Sequence, residues 1–189
     1  MSFVPESWNS PIATFQIDAL SIVHILEAIR RFVPYCRMVN FGSSEQWGDV
    51  VYSPQGIDHP YRSRSPYACA KVAASQIIKV YRESYNLYCL QPILFNYESQ
   101  RRGTEFVTRK ITQGVAKIYH SIQKNKGFEP ICLGNISSLR DWSHALDIVD
   151  GVWRILNQDI YNQEFKNKLD LCSHREIVKN IKEYVLASG

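Results

Sequence analysis

The sequence predicts an α/β protein built on a parallel sheet. Three observations carry that prediction: short apolar runs, longer stretches with helical spacing between them, and polar, charged loops where runs hand over to helices. Residues 14–33 (TFQIDALSIVHILEAIRRFV) set Ile17, Leu20, Ile22, Ile25, Leu26 and Ile29 broadly along one helical face, and Pro34 ends that helix. RMVNFGS at 37–43 reads as a buried parallel strand, which needs no polar alternation because both of its faces are covered. A loop runs to Arg64. Ser65 then suits an N-cap and Pro66 the first helical position, where a missing N–H costs nothing, so a helix is expected from there to Tyr85. LYCLQPILFN at 87–96 reads as a second strand, with Pro92 an awkward guest because proline cannot donate to the ladder. Beyond the polar loop YESQRRGTEF come a helix at 107–124, a brief strand in PICLGN (130–135) and a helix at 142–158. A polar helical stretch to 182 follows, and EYVLASG closes the chain as a strand.

The 189 residues suffice for one domain with a proper core, and 45% hydrophobic against 21% charged residues is an ordinary globular balance. A net charge of +4, with basic pairs at 30–31, 101–102 and 109–110, is too sparse for a nucleic-acid-binding stripe. No apolar run approaches the roughly 18 residues of a membrane span, and MSFVPESWNS lacks the order of a signal peptide. The five cysteines are scattered without a CxxC pair and read as reduced, mostly buried thiols of a cytoplasmic protein. The five histidines pair with no cysteine at ligand spacing, so no metal site is expected.

Tyr67 and Lys71 fall four apart on the helix that opens at Pro66, hence on one face. An ammonium beside a phenol favours the phenolate and lowers its pKa from about 10, which makes a base usable near neutral pH. Ligands of open parallel sheets sit beyond the carboxyl ends of the strands. GSSEQWG (42–48), NYESQRRG (96–103) and GNISSLRDW (134–142) are placed there, all polar and all charged. Taken singly, each residue also has a structural reading: Glu45 as a loop carboxylate, Arg140–Asp141 as an ion pair, Trp142 as a core anchor.

Together, FGSSEQWG, RSPYACAK, YRESYNLY, ILFNYESQRRG, FVTRKIT and LGNISSLRDWSHA resemble the GDP-mannose 4,6-dehydratases of the extended short-chain dehydrogenase/reductase superfamily. The similarity runs from about Pro5 to Gln158 and resumes at EYVLASG. It implies a Rossmann-like parallel sheet flanked by helices, with NADP as cofactor, GDP-mannose as substrate and, in full-length relatives, a homo-oligomer. Tyr67 would take the 4-OH proton as C4 is oxidised, and Lys71 would hold the nicotinamide ribose. Glu45 would remove the C5 proton and help expel the C6 hydroxyl as water. Ser43, where the family usually has threonine, would hydrogen-bond the 4-oxygen. Asn96, Lys110 and Arg140 match positions lining the nucleotide-sugar pocket, and Tyr97 and Arg102 match positions that meet the cofactor.

Some features depart from the family. Tyr97 stands where a histidine is usual, Trp47 replaces a tyrosine and Gln100 a proline. Residues 159–182 resemble an insertion between a truncated catalytic domain (1–158) and a strand leading to the substrate lobe (183–189). No G-x-G-x-x-G can be made from the nine glycines. The resemblance therefore implies a partial fold, without the first βαβαβ half and the C-terminal substrate lobe, and a chain inactive in isolation. Two other readings stay open: a non-catalytic relative serving as a binding or assembly partner, and a nucleotide-sugar epimerase or reductase of the same superfamily. The epimerase or reductase reading is disfavoured, because those enzymes need neither the Glu45 elimination step nor FVTRKIT.

Overall fold

The computed structural model describes residues 2–157, 178, 181 and 183–188. Helices α1 (Glu6–Asn9) and α2 (Pro11–Phe15) lead through a π-helical turn at Gln16–Leu20 into α3 (Ser21–Phe32). Strand β1 (Met38–Val39), a 3₁₀ turn at Ser44–Gln46 and α4 (Pro66–Tyr85) come next. Strands β2 (Cys89–Leu90), β3 (Ile93–Leu94) and β4 (Asn96–Glu98) follow in one extended run. Helix α5 (Val107–Gln123), β5 (Trp142–His144), α6 (Ala145–Leu156) and β6 (Val185–Leu186) complete the described elements.

The run from Cys89 to Glu98 is the centre of the sheet, and every pairing is parallel. β1 pairs with β2, β6 with β3, and β5 with β4. Pro92 marks the change of neighbour. Its carbonyl accepts from Gly42 N–H at 3.0 Å, continuing the bonds from Met38 and Asn40 to Tyr88 and Leu90. It has no N–H to give back, so regular pairing with the first strand stops there. Alternation along the central run assigns the two cores. Leu87 and Cys89 pack with Ile22, Leu26 and Ile29 of α3 and Ala74 and Ile78 of α4. Tyr88 and Leu90 pack with Ile155 of α6 on the opposite face. Helices thus cover both faces, as a parallel sheet requires.

Helix α4 begins as its sequence dictates. The Ser65 hydroxyl accepts from Ala68 N–H at 3.1 Å, Pro66 occupies the first turn, and Asn86 ends the helix in the left-handed region at φ 57°.

Several expectations need correction. No strand forms at 130–135; the strand lies at Trp142–His144, which also delays the last described helix to Ala145. Pro130 lacks a donor, and Ile131 lies against α5, where a Cβ on Gly114 would meet its Cδ1 at 2.6 Å. Of the described cysteines only Cys89 is buried, because Cys36 lies in a loop, Cys69 on the outer face of α4 and Cys132 in the irregular segment; all four are free thiols. The Pro11–Phe32 helix is long and apolar enough to cross a membrane by length and composition, although polar residues interrupt its apolar runs. One face packs on α4, while Ile17, Leu20 and Ile25 of the predicted apolar stripe are exposed. The expected polar helix at 159–182 lies, except for Val178 and Ile181, outside the described residues.

Candidate active site

Where β1 ends, the chain folds into a short turn that is specified locally. Ser43 caps it: its hydroxyl accepts from Glu45 N–H at 3.3 Å, and its own N–H donates to Gln46 Oε1 at 3.0 Å. This reciprocal capping box fixes the backbone on which Glu45 stands. Buried amides tie the turn to the sheet. Gln91 Nε2 donates to Gln46 Oε1 and to the Lys71 carbonyl, while Asn40 donates to Gln91 Oε1 at 2.6 Å. Through Gln91 these bonds tie Gln46 Oε1 to both the sheet and α4, while Gln46 Nε2 is buried without a hydrogen-bond partner among the described residues. Gly48, at φ 58°, turns the chain beside Arg62, and Trp47 is fully buried against His59 and Phe95.

Ser43, Glu45, Tyr67, Asn96, Tyr97 and Arg102 line one cleft of about 280 Å³. A second cleft adjoins it, sharing Glu45 and Asn96 and adding Arg140. Lys71 stands behind Tyr67. Its Nζ lies 5.7 Å from the phenol ring centre, donates to the Phe41 carbonyl at 3.0 Å and pairs with Asp18 at 3.7 Å. Lys110 is not part of this group: it lines a separate groove between α5 and the 127–132 segment, with Lys117 and His120. Arg102 is turned inward, its Nε 3.2 Å from Glu98 and its guanidinium 3.5 Å over the Phe106 ring. Asp141 accepts from the Ser188 backbone and hydroxyl, tying the segment after Leu186 to the start of β5. Among the described residues no three or more His, Cys, Asp or Glu side chains gather to hold a metal ion.

The electrostatics differ from the expectation of a phenol lowered by its lysine. Burial pushes the Tyr67 phenol up to about 12; a hydrogen bond with Ser43 pulls it down, and the charges of Asp18, Tyr97 and Glu45 raise it. Burial also lowers the Lys71 amine, against which Asp18 acts by charge and hydrogen bonding. Desolvation dominates because both groups are in the interior, where the charged form of each loses water. Tyr97 is likewise raised by burial, with Arg102 opposing. Sequence reasoning missed Asp18. The signal was there: a single acid among the apolar residues of TFQIDALSIV.

The sequence profile of the GDP-mannose 4,6 dehydratase family matches residues 1–186. The GDP-mannose 4,6 dehydratase of Drosophila melanogaster is 45% identical over 160 residues, which are 84% of this chain and 39% of that protein. The enzymes of Vibrio cholerae and Homo sapiens are 43% and 38% identical, each over 84% of this chain and 42% of their own length. The chain thus spans about two-fifths of the length of these relatives. Among solved structures, RMD of Pseudomonas aeruginosa, complexed with NADPH, superposes with a TM-score of 0.75 at 23% identity, over 83% of this chain and 53% of its own. The dTDP-glucose 4,6-dehydratase DesIV of Streptomyces venezuelae, with NAD and TYD bound, gives 0.67 at 17% identity, over 82% and 45%. At those identities the likeness establishes a Rossmann-like fold. With the profile spanning nearly all of its length, the chain belongs to the GDP-mannose 4,6-dehydratase family.

Proposed function

We propose that the chain carries the acid–base centre of a GDP-mannose 4,6-dehydratase, which oxidises C4 of GDP-mannose, removes water across C5 and C6, and yields GDP-4-keto-6-deoxymannose. The observation that carries this reading is the meeting of a carboxylate, a phenol and a hydroxyl in one cleft: Glu45, Tyr67 and Ser43. A C5 proton is acidic only once C4 is a ketone, so the group that deprotonates the 4-OH and the group that takes the C5 proton must face one sugar ring. Tyr67 accepts the 4-OH proton in its ionised form, which the Lys71 ammonium beside it favours against the burial that raises the phenol. Ser43, hydrogen-bonded to Tyr67, supports the 4-oxygen. Glu45, exposed on its capped turn, takes the C5 proton and delivers one to the departing C6 hydroxyl, which leaves as water. Arg140 and Asn96, in the adjoining cleft, suit the diphosphate and sugar oxygens.

NADP, when bound, would supply the acceptor for the C4 hydride and its return to C6. The donor set suits that group: an ammonium offers three donors, and with the Phe41 carbonyl and Asp18 as partners Lys71 keeps one for a ribose hydroxyl. Arg102 in the same cleft offers a cation for a phosphate.

The test joins this chain to the remaining segments of a relative and assays the product by mass spectrometry with GDP-mannose and NADP. Glu45→Gln keeps the shape of the side chain but cannot accept the C5 proton. Dehydration should fall about 10²–10⁴-fold, while NADP is still reduced in a single turnover. Tyr67→Phe should abolish both signals. Dehydration at the parental rate in both variants would overturn the proposal.

A further inference from the structure

The π-helical turn at Gln16–Leu20 inverts the burial expected of its sequence. Asp18 is 6% exposed, whereas its apolar neighbours Ile17 and Leu20 are 51% and 48% exposed. Burying a carboxylate is costly unless a partner compensates it. That partner is Lys71, itself 9% exposed, 3.7 Å away across the contact with α4. π-turns re-aim side chains by inserting a residue into a helix, and they recur at functional sites. A buried ion pair adds little net stability over an apolar substitute, so the consequence of this one is chiefly electrostatic.

We propose that Asp18 is a positioning residue: a buried counter-ion that keeps the Lys71 amine protonated and fixed beside Tyr67. The role rests on the reading of Tyr67 and Lys71 as the proton-handling pair. Lys71 is faced by Asp18 from the π-turn, by the Phe41 carbonyl after β1 and by Tyr67 on its own helix. Glu45 and Tyr97 act on the same locus through Tyr67. Of the two carboxylates named here, Asp18 alone contacts the amine, and it holds back the neutralising effect of burial on Lys71. A neutral lysine would leave Tyr67 facing the Asp18 charge, which raises it, with no cation to oppose that charge.

The experiment uses the 189-residue chain itself, labelled with ¹³C-lysine, and follows the Lys71 Cε resonance through a pH titration. In wild type the resonance must report the charged amine at pH 7. Asp18→Asn, of equal size and no charge, should raise the fraction of neutral Lys71 at a fixed pH below its midpoint by about tenfold or more, because an opposite charge within about 6 Å moves a pKa by about 1–3 units. Asp18→Ser should do the same, and Asp18→Glu should restore the wild-type curve; circular dichroism confirms folding. A Lys71 curve unchanged in a folded uncharged variant overturns the proposal. So does a neutral Lys71 at pH 7 in wild type, a readout that needs neither uncharged variant to fold. These readouts need no cofactor, substrate or turnover, so failure of the dehydratase reading would leave them intact.

Discussion

Gly48→Ala should unfasten the turn that carries Glu45, and the structure sets the size of the effect. Gly48 has φ 58°, and a Cβ added there would lie 1.9 Å from the Arg62 carbonyl oxygen and 2.6 Å from its carbonyl carbon. Both are backbone atoms, so no side chain can swing away. Restoring ordinary contact at 3.4 Å needs a retreat of about 1.5 Å by the 62–63 backbone. That retreat breaks the bonds from Arg62 N–H to Trp47 O and from Asp49 N–H to Arg62 O, now 3.2 and 3.1 Å. The left-handed conformation costs a non-glycine residue about 1–2 kcal/mol, and each lost bond costs about 0.5–1.5 kcal/mol. The expected destabilisation is about 2–5 kcal/mol, a large fraction of a domain's usual stability. Urea unfolding followed by tryptophan fluorescence measures it, and the native spectrum should also shift to the red as buried Trp47 is loosened. Gly56→Ala is the control: nothing lies within 4 Å of its added Cβ, so stability should change by less than about 0.5 kcal/mol. A loss below about 1 kcal/mol in Gly48→Ala, or equal losses in both variants, would refute the reasoning.

Two further outcomes follow from the α3–α4 contact. Leu26 is fully buried in the core shared by α3, α4 and the central run, so Leu26→Ala should cost about 2–5 kcal/mol in the same unfolding assay. Hydrogen bonds from Arg30, Tyr81 and Arg31 hold the Glu27 carboxyl down at about 2, from 4.5. A folded value below the unfolded one means that the contribution is complete above pH 4.5 and is lost as pH falls toward 2. Glu27→Gln should therefore flatten the stability–pH curve across that window, as measured by thermal unfolding, and an unchanged curve would show that the cluster contributes nothing.

What the sequence determined by itself is what short-range chemistry dictates. Ser65 and Pro66 start α4 wherever the rest of the chain goes, and the four-residue spacing then puts Tyr67 and Lys71 on one face. Ser43 and Gln46 close their capping box within four residues, which presents Glu45. Apolar runs flanked by helices announce the parallel sheet, because strands covered on both faces need no polar alternation. Tertiary structure alone decided what depends on distant partners. Asp18 faces inward because a π-turn rotates the helix and a lysine 53 positions along the chain waits there, a pairing that no local pattern encodes. The strand that pairs with Asn96–Glu98 is Trp142–His144, rather than the more apolar PICLGN, because Pro130 has no donor and Ile131 is taken up against Gly114. Arg102 meets Glu98 and Phe106 in this structure, and Lys110 faces another groove, since pairing and packing across elements, not residue type, set where a long cation points. The same holds for Tyr67, whose type and spacing announce a base while the burial that raises its pKa comes from the packed cleft around it.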